Sequence, residues 1–262
     1  MRTAVNPTDG VRISYETFGD GPPLLLVHGS VLTRAIWRAY GYVRALKADY
    51  RLILVDLRGH GRSDKPHDRA SYRIERVVED LLAVLDDLEL SRADCFGYSF
   101  GARAALSLGM AAPDRVDKLV LGGGSHRHRD GVWNKLFFPG CVEVLEAQGW
   151  DAFLADWERA KGTPVDSGTR AVLAANDPAA IVAYFRETEA MPGIPDAALS
   201  TVSTPALWLA GSNDPGRLAD SRDAAGLMPH AECHAIEGYD HGTTLAATEQ
   251  ILDLVRPFLR DR

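Results

Sequence analysis

The chain has 262 residues, 46% of them hydrophobic and 25% charged, with a formal net charge of −7. That size and apolar fraction suit one sizeable α/β domain carrying an insertion, or two small domains, and the acidic balance without a long basic run excludes a nucleic-acid surface. Cys95, Cys141 and Cys233 are too few and too scattered for a disulfide scaffold or a zinc motif.

Nothing at the start of the chain has the apolar core of a secretion signal, and no uncharged stretch approaches the roughly 18 apolar residues of a membrane span. The expectation is a cytoplasmic protein with no stable membrane association. Residues 11–18 alternate apolar and polar, the period of a strand with one wet face. After Gly19-Asp20-Gly21-Pro22-Pro23, the run Leu24-Leu25-Leu26-Val27 reads as a strand buried on both faces, closing on His28-Gly29-Ser30. Trp37, Tyr40, Val43 and Leu46 predict a helix over 35–46, and residues 50–56 form the next buried strand. The glycine-rich stretch 57–66 is a loop at that strand's end. Val77, Val78, Leu81, Leu82, Leu85 and Leu88 make a broad stripe on a helix over 74–88.

A short strand then runs into Gly97-Tyr98-Ser99-Phe100-Gly101, and helix formers follow over 102–110. A tight strand-to-helix turn with a serine at its apex leaves no room for a Cβ on either side, which accounts for both glycines, and it lifts the hydroxyl clear of the sheet. The helix that follows sets unpaired N–H groups beside that oxygen. A further strand over 116–121 ends in Gly122-Gly123-Gly124. Strand and helix alternate from Leu24 onward, which specifies a mostly parallel sheet covered on both faces.

The alternation stops between residues 125 and 204. Apolar residues there fall in short helical pieces over 142–145, 153–157, 171–175 and 181–185, so an all-helical insertion over 125–204 interrupts a core made of 1–124 and 205–262. Strand character returns over 205–211, followed by a turn at 212–216, a helix over 217–226 and a strand over 231–236. Thr243 and Thr244 are candidate caps for a last helix over 245–259.

In an open parallel sheet, ligands gather beyond the carboxyl ends of the strands. The groups expected there are His28 to Ser30, Asp56 to His60, Ser99, Gly122 to His126, Asn213-Asp214 and Asp240-His241. A neutral serine is a poor nucleophile and needs a base within reach and a carboxylate to fix that base's tautomer. Asp214 also suits a plain turn before Pro215. Asp240 is a rival carboxylate that would have to fold back on its neighbour His241. Ser125-His126-Arg127-His128-Arg129-Asp130 reads either as a solvated hinge or as a polar lining for an anionic or carbonyl-rich substrate; its two histidines lack a third metal ligand at supportive spacing.

The chain resembles the α/β-hydrolase superfamily, in the branch of small capped esterases, lactone hydrolases, perhydrolase-like proteins and carbon–carbon bond hydrolases. The resemblance rests on His28-Gly29, on Asp56-x-Arg58-Gly59-His60-Gly61-x-Ser63, on Gly97-x-Ser99-x-Gly101, on Gly211-x-x-Asp214 and on His241-Gly242, with serine, aspartate and histidine in that order. It implies an α/β-hydrolase fold with a small helical cap over 125–204, Ser99 as nucleophile, His241 as base and acid, Asp214 as orienting carboxylate, and the backbone N–H groups of Ser30 and Phe100 as oxyanion hole. His28 and His60 become partners of loop backbone. His126, Trp133 and Phe137 are candidate substrate contacts.

The expected activity is hydrolysis of a small carboxylic ester or lactone without cofactor or metal, since the glycine pattern of a dinucleotide site is absent. Cleavage of a carbon–carbon bond in a diketone-like substrate is the chemical alternative, with a perhydrolase side activity open. A ligand-binding, receptor-like protein of the same fold is the non-enzymatic one. The sequence is compatible with a homo-oligomer and names no macromolecular partner.

Overall fold

The computed structural model describes residues 2–128 and 130–261. An eight-stranded sheet runs through it, formed by β1 (Arg2–Val5), β2 (Arg12–Phe18), β3 (Pro23–Val27), β4 (Arg51–Val55), β5 (Ala93–Tyr98), β6 (Val116–Gly122), β7 (Ala206–Gly211) and β8 (Ala231–Ile236). The spatial order is β1-β2-β4-β3-β5-β6-β7-β8. β2 pairs antiparallel with β1 and β4, and every later pairing is parallel. This is an α/β-hydrolase fold: a mostly parallel sheet, helices on both faces and further helices between β6 and β7.

Strand periodicity sorts the core. In β3 and β4, Leu25, Val27, Ile53 and Val55 face one layer while Leu24, Leu26, Leu52 and Leu54 face the other. The first layer is covered by α3 (Ile74–Asp87), α4 (Phe100–Ala111) and α10 (Pro215–Leu227), the second by α1 (Ala35–Ala39), α2 (Tyr42–Leu46) and α11 (Thr248–Arg260). All eight residues are fully buried, as expected of strands covered on both sides.

Between β6 and β7 lie α5 (Val132–Leu136), α6 (Cys141–Lys161), α7 (Ser167–Ala174), α8 (Pro178–Glu189) and α9 (Asp196–Leu199). Trp133, Phe153, Tyr184 and Phe185 build a separate apolar cluster there, and among the described residues outside the insertion only Val31 and Tyr72 join its buried members. Asp166 and Asp177 cap α7 and α8 by accepting from the Thr169 and Ala180 N–H groups. Among the described residues no helix is long and apolar enough to cross a membrane.

Four local expectations change. The helix over 35–46 is two, because Gly41 takes a left-handed φ of +84° between them. The pieces at 142–145 and 153–157 belong to one helical run, bent at Gly149, where φ is +75°. β1 escapes a periodicity search because only Ala4 in its four residues is buried. Thr243 and Thr244 do not cap the last helix, which starts at Thr248: their hydroxyls donate instead to the Asp240 carboxylate (2.7 Å) and the Asp240 carbonyl (2.5 Å).

Candidate active site

The chain runs from β3 outward to β4 on one side and then crosses back to β5 on the other. Such a reversal leaves the carboxyl ends of β3 and β5 side by side with a crevice above them. Val27 pairs with Gly97 in register, so the two turns that follow, one through Gly29 and one through Ser99, meet.

Their closeness depends on missing side chains. A Cβ on Gly97 would lie 2.1 Å from the Gly101 carbonyl oxygen, and one on Gly101 would lie 2.1 Å from that of Val27. A Cβ on Gly29 would come within 3.1 Å of the Ser99 Cβ. Ser99 itself has φ +55° and ψ −115°, a conformation that costs a non-glycine residue strain and persists only where its surroundings enforce it. Its N–H donates to the Gly122 carbonyl at 2.7 Å, which ties the turn to the end of β6.

Ser99 Oγ stands 3.0 Å from His241 Nε2. The other ring nitrogen of His241 is 3.7 Å from Asp214 Oδ2, an ion-pair distance. Asp214 also caps α10, accepting from the Arg217 N–H at 3.2 Å, and its carboxylate lies 3.5 Å from the Arg217 guanidinium. Serine, histidine and aspartate thus come together from three strand ends. Asp240 is spent elsewhere, accepting from the N–H and the hydroxyl of Thr243.

Phe100 opens α4, where the first N–H groups have no intrahelical acceptor. Ser30 lies in a turn closed by the Leu32 N–H on the Gly29 carbonyl, 3.3 Å. Two histidines fix this turn. His28 Nε2 accepts from the Leu57 N–H (3.1 Å), so its Nδ1–H is the donor to the Gly29 carbonyl (2.7 Å). His60 Nε2 accepts from the Val31 N–H (3.1 Å), and its Nδ1–H donates to the Arg58 carbonyl (2.9 Å). Each ring must be neutral to accept. Burial holds both pKa values down, that of His60 to about 3, with the neighbouring imidazole of His28 adding to the effect there. Beside His60, Arg58 makes a bidentate pair with buried Asp80 of α3 at 2.6 and 2.7 Å, which anchors the loop.

Of the residues expected to contact substrate, Trp133 has its ring centroid 6.0 Å from that of Tyr184, whose hydroxyl meets that of Ser30. His126 is buried, with Nε2 3.6 Å from Asp196 Oδ1 and its carbonyl accepting from the Ile194 N–H at 2.7 Å. Trp133 donates to the Phe185 carbonyl at 3.0 Å and stacks on the Phe185 ring, while Phe137 packs on Phe153 and Trp157. Of the polar run, Arg127 pairs with Asp220 and Asp223, His128 bridges the Met191 carbonyl and Asp130, and Arg129 lies outside the described residues.

Sequence reasoning missed Tyr98, Arg103, Asn176 and Tyr184 as neighbours of the site. Tyr184, from α8, reaches across to the Ser30 hydroxyl at 2.5 Å and sets its ring against His60 and Phe100. Burial raises its pKa far above the usual phenol value. No sequence signal links positions 154 residues apart.

Residues 22–140 match the family model described as alpha/beta hydrolase fold. The chain is 32% identical over 166 residues to a putative 2-succinyl-6-hydroxy-2,4-cyclohexadiene-1-carboxylate synthase from Bacillus subtilis, a match covering 59% of this chain and 57% of that one. It is 39% identical over 119 residues to 2-hydroxymuconate semialdehyde hydrolase from Pseudomonas sp. strain CF600, covering 44% and 41%. The chain therefore spans only about half the length of these curated relatives. Among solved structures, the esterase RhEst1 from Rhodococcus sp. ECU1013 superposes with a TM-score of 0.80 at 25% identity, over 99% of this chain and 98% of that one.

Proposed function

We propose that this chain is a serine hydrolase of the α/β-hydrolase superfamily cleaving a small carboxylic ester or lactone. The observation that carries the reading is the 3.0 Å approach of Ser99 Oγ to His241 Nε2 on a turn that holds Ser99 at φ +55°. Ser99 Oγ attacks the acyl carbon and its proton passes to His241 Nε2. The Asp214 carboxylate, on the opposite side of the ring, steadies the imidazolium. The Ser30 and Phe100 N–H groups receive the oxyanion. The tetrahedral species collapses, the alkoxide leaves with the proton from His241, and Ser99 keeps the acyl group. Water, giving its proton to His241, then releases the carboxylic acid, and the proton returns to Ser99. In this reading the helices between β6 and β7 are the cap over the acyl pocket.

Carbon–carbon bond cleavage is the second reading, favoured by the names of the curated relatives. A substrate carboxylate calls for a guanidinium to pair with it. Arg103 instead donates to the carbonyls of His126 and Pro192, and Arg127 faces two aspartates. All three cysteines are unpaired, which supports a place in a reducing compartment such as the cytoplasm.

The test is steady-state hydrolysis of a short aryl ester beside a vinylogous diketone. Wild type is expected to turn over the ester, and Ser99→Ala to lose roughly 10³- to 10⁶-fold in kcat with its circular dichroism unchanged. A single stoichiometric release by wild type would indicate the receptor-like alternative. Equal turnover by the alanine variant would rule out Ser99 as nucleophile.

A further inference from the structure

The turn Gly29–Leu32 carries its strain at Val31, whose φ is +55°. A β-branched residue in the left-handed region is a true outlier, and the third position of such a turn ordinarily takes glycine. The surroundings must hold it there.

Each peptide unit of the turn has its own restraint. The Gly29 carbonyl, held by His28, belongs to the same planar unit as the Ser30 N–H, so fixing one fixes the direction of the other. The Val31 N–H is held by His60. The next unit is held from the helical insertion: Asn176 Nδ2 donates to the Val31 carbonyl at 3.1 Å and to the Val172 carbonyl at 2.8 Å. Only the amide nitrogen of Asn176 suits this place, since its neighbours there are carbonyl oxygens. Between these points, Tyr184 grips the Ser30 hydroxyl, and the Val31 side chain is buried in the insertion's own apolar cluster.

We propose that Asn176 and Tyr184 are positioning residues: from the insertion, they hold the strained Ser30–Val31 turn so that the Ser30 N–H is ready for the oxyanion formed on Ser99. The inference rests on the reading of Ser99 as nucleophile. It gives the insertion a second task besides shaping the pocket, because a cap lifted off the sheet takes two of the turn's restraints with it. Glycine at position 31 adopts the left-handed conformation without strain, so a Val31→Gly turn no longer depends on being held.

The experiment measures kcat and KM for an aryl ester with Tyr184→Phe, Asn176→Ala, Val31→Gly and the double variant Val31→Gly/Asn176→Ala. Tyr184→Phe keeps the ring and its packing, which makes it the variant safest to fold. Each insertion variant is expected to lose about ten- to a hundredfold in kcat, with KM changed by no more than about threefold. Val31→Gly is expected to restore the Asn176→Ala variant to within about threefold of the kcat of Val31→Gly alone. Wild-type kcat in both insertion variants, or no recovery in the double variant, would overturn the positioning role while leaving Ser99 in place. Absence of turnover in wild type, or full turnover in Ser99→Ala, would overturn the reading beneath it.

Discussion

The Tyr98 ring lies parallel to the His241 imidazole, with 5.6 Å between centroids and 16° between planes, and its hydroxyl donates to the His241 backbone carbonyl. One buried side chain from the strand that leads to Ser99 therefore fixes both the ring and the backbone of the proposed base. Tyr98→Phe keeps the stacking and removes the donor. It is expected to cost about 1–2 kcal/mol in urea unfolding and up to about tenfold in kcat as the loop carrying His241 loosens. Tyr98→Ala, which also removes the ring, should reduce kcat further still. Kinetics and unfolding of the pair separate the two contributions.

Asp214 has two tasks on one carboxylate, the cap of α10 and the contact with His241. Asn at this position still caps a helix but carries no charge. Asp214→Asn should therefore unfold close to the wild-type midpoint while kcat drops by roughly 10³- to 10⁴-fold. Asp214→Ala should lose the activity and, in addition, about 1 kcal/mol of stability. If Asn supported wild-type kcat, the charge beside His241 would have no part in the reaction.

His60 sets a lower pH limit. Its folded-state pKa is pushed down to about 3, below the unfolded value near 6.5, so the unfolded chain binds the extra proton between those values. The stabilisation is complete above pH ~6.5 and declines as pH falls, by about 1.4 kcal/mol per unit. At pH 5 the loss from this histidine alone is about 2 kcal/mol. Protonation also removes the acceptor of the Val31 N–H. Chemical denaturation at pH 7 and pH 5 is the check, and His60→Gln should reduce the difference to the share left by His28, whose pKa burial also lowers, at the cost of lower stability at pH 7.

Arg103, one turn along α4 from Ser99, donates to the carbonyls of His126 (3.4 Å) and Pro192 (2.8 Å). These two residues lie on the outgoing and returning legs of the insertion. Arg103→Met should cost about 2 kcal/mol for the lost charge-assisted bonds. The first cuts in limited proteolysis should then fall within residues 125–204. A digestion pattern identical to wild type would mean that the clasp holds nothing.

Much of the fold could be read in advance, because buried strands of four to seven apolar residues alternating with striped helices leave few arrangements open. Ser99, Asp214 and His241 each stand at a strand end, where chain order and sheet geometry make neighbours of distant residues, while the choice of Asp214 over a plain turn residue rests on the resemblance to the α/β-hydrolases. Asn176 and Tyr184 were not legible. They act through side chains on helices whose packing against the sheet follows from tertiary contacts, and Tyr184 looks in sequence like the other aromatic residues of the insertion. Val31 was hidden for the opposite reason. A valine gives no hint of a left-handed backbone, and only the surrounding hydrogen bonds force it there. His126 is buried although a histidine in a polar run looks solvated in sequence.

The Ile194 N–H bonds the His126 carbonyl at 2.7 Å, so the insertion leaves the domain and rejoins it through a gap one hydrogen bond wide. A segment of different length spliced between those two points need not displace β6 or β7. Recombination could therefore exchange the insertion as a unit while the sheet stays put. A donor segment would have to bring its own amide for the Val31 carbonyl and its own hydroxyl for Ser30, and chimeras lacking them would fold yet turn over slowly.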